Sequence, residues 1–123
     1  MWICLNQAFL SIVSNPADKA TLLVRARRVG DLEHVFGADT VVTTIPGRDY
    51  QFRAFLPREQ VGRVIAANVE MISYPNFKSS VKDDSLHDAY MAIWHVMADL
   101  QPTAPYADAP RKNFRKHPVR TTR

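Results

Sequence analysis

Between residues 85 and 102 the chain carries the pattern that most limits how it can fold. Leu86, Tyr90, Ile93, Met97 and Leu100 recur at steps of four, three, four and three, which draws one apolar stripe along a helix. Such a stripe needs a partner surface, so the helix is expected to be buried along it. Ser85 stands where an N-cap belongs and Asp88 three residues on, so a hydroxyl and a carboxylate can satisfy free amides of the first turn. Pro102 ends the helix, because the residue before a proline leaves the α region and proline itself offers no amide.

A chain of 123 residues suits one domain with one core, large enough to fold without metal or disulfide staples. Its 46% hydrophobic and 23% charged residues are ordinary globular composition, and no apolar run approaches the length, about 20 residues, that crosses a bilayer. The opening Met1-Trp2-Ile3-Cys4-Leu5-Asn6 lacks the basic and apolar regions of an export signal, so a cytoplasmic protein with no membrane partner is expected. Cys4 stands alone and reads as a small buried hydrophobe. The net charge of +4 is unevenly placed. Residues 1–101 hold 10 Lys and Arg against 11 Asp and Glu, whereas residues 102–123 hold 6 against 1.

Trp2 to Val13 reads as one central strand with apolar side chains on both faces. After turn chemistry at Ser14 to Asp18, Thr21 to Arg27 alternates and completes a hairpin. Asp31 caps a short helical turn, Leu32 to Phe36, that Gly37 closes. Thr40 to Ile45 and Tyr50 to Leu56, joined through Pro46 and Gly47, make a second hairpin. Pro57 opens a helix with Val61, Val64, Ile65, Val69 and Ile72 on one face, weakened at Gly62. Phe77 and Val81 pin the linker to the final helix. The order β-β-α-β-β-α-α predicts an α+β fold, an antiparallel sheet of about four strands with helices packed on one face. Residues 1–101 form the domain. Residues 102–123, with four prolines and few aliphatics, are expected as a basic tail, mobile or ordered by a partner.

The chain holds only 4 glycines, without a phosphate-cradling loop, and has no nucleophile elbow or H-E-x-x-H pair. His87 and His95 would lie about 12 Å apart along the helix, too far to share an ion, so no metal or cofactor is expected. Positive charge is more informative. Arg25 and Arg27 share one strand face, Arg28 follows, and Arg53 shares a face with Phe55. If these strands are neighbours, guanidiniums and an aromatic meet on one wet sheet face, suited to phosphates and bases. Arg111, Lys112, Arg115 and Lys116, around Phe114, suit phosphate contacts of little sequence preference. Two other arrangements are open. His87 could act as an acid–base group with Lys78, Asn76 and Tyr74 around it, and Trp94, on the flank of the stripe, could anchor a protein partner.

Met1-Trp2-Ile3, Leu22-Leu23-Val24-Arg25-Ala26-Arg27, Asp49-Tyr50 with Arg53-Ala54, Ile72 with Tyr74, Asn76-Phe77-Lys78, and His87, Tyr90 and Trp94 resemble a group of small bacterial and phage-associated proteins with no assigned activity. The resemblance spans roughly Met1 to Gln101, implies a compact intracellular domain, and carries over no functional residue. The expected function is a non-enzymatic protein that engages a nucleic acid or nucleoprotein complex, a description that phage inhibitors of host defence complexes would fit. The alternatives are a small hydrolase or transferase using His87, and an adaptor or immunity-type interaction module.

Overall fold

Alternating apolar residues in three segments put Leu10 and Ile12, Val24 and Ala26, and Ala54 and Leu56 on a common side, where all are buried. In the computed structural model, which describes residues 1–114, these segments join one antiparallel sheet. Its strands are β1 (Trp2–Cys4), β2 (Phe9–Ser14), β3 (Thr21–Ala26), β4 (Thr43–Thr44) and β5 (Phe52–Pro57), in the order β1-β2-β3-β5-β4. The α+β class holds, with five strands where about four were expected. The extra strand arises because Trp2 to Val13 is a hairpin, turned at Asn6 and Gln7, with Leu5 N donating to Ala8 O at 2.9 Å. The β-branched run from Thr40 shrinks to the two residues of β4.

Helices α1 (Asp31–Phe36) and α2 (Arg58–Glu70) cover the buried face, contributing Leu32, Phe36 and Val61 to the core with Val64 and Ile65 beside it. Gly30, not Asp31, is the N-cap of α1, and Pro57 precedes α2 instead of starting it. Gly62 lies on the exposed side of α2, and a Cβ built there meets nothing within 4 Å. Gly62→Ala is therefore expected to stabilise the fold by about 1 kcal/mol, seen as a higher denaturation midpoint at unchanged slope.

The remaining helices, α3 (Phe77–Ser80) and α4 (Asp84–Ala98), build a second and smaller core. Val81, Leu86 and Tyr90 close around Phe77 and Phe9. Phe9 alternates with buried Leu10 and so belongs to the other face of the sheet, which α4 meets beside the first hairpin. The Tyr90 hydroxyl lies 2.8 Å from Leu5 O and 3.0 Å from Ala8 O, so it bolts the helix to that turn. Burial pushes this phenol well above the ordinary tyrosine range. Asp83, and not Ser85, is the N-cap, its carboxylate accepting from Leu86 N at 2.8 Å.

The expected burial of the whole stripe is corrected here. Only Leu86 and Tyr90 are covered; Ile93, Met97 and Leu100, with Val96 beside them, are exposed. The helix is about 22 Å long and its anchors sit in its first half, so the second half runs on past the sheet surface that could cover it. Beyond it the chain turns back, Arg111 N donating to Pro102 O at 2.9 Å. Among the described residues no helix is long and apolar enough to cross a membrane.

Candidate binding surface on the open sheet face

Strand pairing brings the predicted arginines together. The register sets Trp2 opposite Ser11, Ser11 opposite Arg25, and Arg25 opposite Arg53, so these four lie in one row across the sheet. One step along the same face, Val13, Leu23 and Phe55 form the next row. This is the face that α1 and α2 leave open. Arg25 donates from Nη2 to the Ser11 hydroxyl at 2.8 Å. The buried ring of Tyr50 serves both neighbouring cations, its centroid 4.6 Å from Arg25 Cζ and 4.0 Å from Arg27 Cζ. Arg27 also lies 5.8 Å from the Phe9 centroid. These are cation–π distances, which hold a guanidinium in place without neutralising it.

Among the described residues neither Arg25 nor Arg27 has a carboxylate partner. Arg53 is less free: its Nε donates to Tyr50 O at 3.1 Å and its Nη2 lies 3.7 Å from the Asp49 carboxylate. Arg25 Nε and the Tyr50 hydroxyl are buried without a hydrogen-bond partner. Large apolar side chains flank the cluster, with Trp2 74% and Phe55 60% exposed. The sequence placed Tyr50 at the start of an alternating run and gave it no binding role, because the cations it meets in space come from another strand.

Two of the expected arginines have other work. Arg28 bonds Asp31 at 3.0 Å and Asp83 at 2.9 Å, joining the end of β3 to α1 and to the cap of α4. Its guanidinium is held more firmly protonated by that first pairing, while the Leu86 amide, and then Arg28, holds the Asp83 carboxyl below its usual range. Arg28 is thus a structural bolt. Arg111 reaches the Asp99 carboxylate at 3.4 Å and Ala98 O at 3.2 Å, closing the C-terminal end of α4. Lys112 is exposed, and Arg115 and Lys116 lie outside the described residues.

The residues of the acid–base alternative are each engaged elsewhere. Asn76 caps α3, accepting from Ser79 N at 3.1 Å. Lys78 places its ammonium 4.6 Å from the Trp94 ring centroid, and Tyr74 packs against Phe77 at 5.8 Å between centroids. His87 sits beside Asp88 at 3.7 Å. Trp94 is half-buried beside Lys78. Among the described residues no group of three or more His, Cys, Asp or Glu side chains is placed to hold a metal ion.

Sequence reading missed the outer margin of β1. A cavity of about 400 Å³ lies between the sheet and α4, lined by Trp2, Cys4, Phe9, Tyr90, Ile93 and Met97, with Arg27, Arg28 and Asp31 at its border. A second, of about 390 Å³, lies on the other side of the strand between Cys4 and the C-terminal end of α2. Cys4 is exposed between them, correcting the expectation of a buried thiol, although apolar surroundings push that thiol above its ordinary pKa. No protein-family model, no curated protein and no solved structure matches this chain.

Proposed function

We propose that this chain is a binding protein whose open sheet face engages a nucleic acid, alone or within a nucleoprotein complex. Arg25 and Arg27 contact phosphates, and Trp2 and Phe55 offer surfaces on which bases stack. The observation that carries this reading is the pair of guanidiniums held side by side on Tyr50 with no carboxylate partner among the described residues. A guanidinium already immobilised by an aromatic ring loses less freedom on meeting a phosphate, and it presents a planar fork that phosphate oxygens match. Exposed aromatics on the same face give base contacts that tolerate any sequence.

The test is fluorescence anisotropy of a labelled, mixed-sequence single-stranded oligonucleotide across a salt series. Affinity should fall with rising salt, and the double variant Arg25→Gln with Arg27→Gln should lower it about tenfold or more. Loss of two phosphate contacts should also flatten the logarithmic salt dependence by about 1.4. Phe55→Ala should weaken binding while leaving that slope unchanged. A double variant that keeps its fold, its affinity and its slope would remove the sheet face from consideration.

A further inference from the structure

We propose that the outer edge of β1 receives an extended segment of a partner protein as an added strand. This surface adjoins the arginine row and shares Trp2 and Arg27 with it, but it uses backbone groups that the nucleic-acid reading leaves untouched. Pairing parity identifies those groups. Met1 and Ile12 exchange both backbone hydrogen bonds at 2.8 Å, and Leu5 N bonds Ala8 O at 2.9 Å. Ile3, opposite Leu10, therefore pairs inward, while the amides and carbonyls of Trp2 and Cys4 point away from β2. No hydrogen bond among the described residues engages them.

Edge strands are ordinarily blunted by lysine, proline or an inward charge, and β1 has none of these. The opposite edge is protected: β4 has two residues, both threonine, with Pro46 close behind. An added strand at β1 would also find room for its side chains, which alternate between the two faces of the sheet. On one face they enter the cavity bounded by Ile65, Val69 and Ile72 together with Asn68 and Ser73, which mixes apolar and polar groups and has no charged residue in its lining. On the other they enter the cavity bounded by Trp2, Ile93 and Met97. There Arg28 and Asp31 offset one another, and Arg27 is the charge left without a carboxylate. The occupant is therefore a strand with uncharged, mainly aliphatic residues facing α2 and with apolar and acidic residues facing α4. Ile93 and Met97, exposed where α4 runs past the sheet, would be covered by such an occupant.

A short synthetic peptide with valine at alternate positions, and leucine and glutamate between them, is the probe. Adding it should slow amide exchange at Trp2 and Cys4 and shift their resonances. Cys4→Pro removes an outward donor that pairing with β2 does not use, so the sheet stays intact while peptide affinity falls about tenfold or more. Ile72→Asp, at an exposed position, should weaken the peptide without touching the strand. Oligonucleotide binding should be the same in both variants, which separates this site from the sheet face. Unchanged peptide affinity in both variants, or a peptide that protects neither amide, would overturn the proposal. So would a peptide-free dimer that Cys4→Pro dissociates, since the occupant would then be a second copy of the chain.

Discussion

Replacing Arg28 with methionine is expected to cost about 3 kcal/mol of folding stability, a large share of what a domain this size holds in reserve. The loss comes from Asp31, whose side chain is 2% exposed and would be left as a buried carboxylate without its cation. The lower end of the range applies because the guanidinium is 35% exposed and water already screens part of the pairing. The variant also cuts the tie from β3 to Asp83 at the start of α4. Asp83 adds a pH dependence. Its folded-state pKa is depressed, so its contribution is complete above the unfolded value of about 3.9 and is lost as pH falls through the lower folded value. Because the Leu86 amide is the larger cause, Arg28→Met should narrow this acid window and leave part of it in place. Chemical denaturation of both proteins at neutral and acid pH measures each effect. Equal stability at neutral pH would show that Asp31 does not depend on Arg28.

Leu86→Ala is expected to cost about 2–3 kcal/mol, but to spend that loss locally. Leu86 sits in the small core formed with Val81, Tyr90, Phe77 and Phe9, separate from the one under α1 and α2. Cutting it back should let α3 and α4 open as a unit while the five-stranded sheet stays closed. Hydrogen exchange would then accelerate across 84–98 and remain slow at Leu10, Val24 and Ala54. Uniform acceleration through both cores would show one cooperative unit.

What the sequence made legible was local. Alternation at Thr21 to Arg27 and Tyr50 to Leu56 placed β3 and β5, and parity set Arg25 with Arg27 and Arg53 with Phe55, while only the pairing of β3 with β5 puts both pairs on one face. The Asn6-Gln7 turn escaped because neither residue takes a positive φ, so the glycine or Asn-Gly signature of tight hairpins is absent. Adjacency groups Arg28 with Arg25 and Arg27 as a phosphate contact, although alternation points it to the other side. It meets Asp31 because the strand ends at Ala26 and Gly30, at φ 88°, swings that carboxylate back toward it. The stripe on α4 announced a helix, but periodicity names the side that wants cover and not what supplies it. Burial of Leu86 and exposure of Met97 depend on where a three-residue strand ends, which no local pattern encodes.

The two carbonyls that Tyr90 reaches, Leu5 O and Ala8 O, bracket the first turn. Lengthening this turn by even one residue would move one acceptor away from the phenol and unseat a helix more than eighty positions downstream. Among the described residues the connection through Pro46 and Gly47 carries no such distant tie, and space around Gly47 is open. Peptide tags and reporter inserts should therefore be grafted at Gly47 and kept away from Asn6.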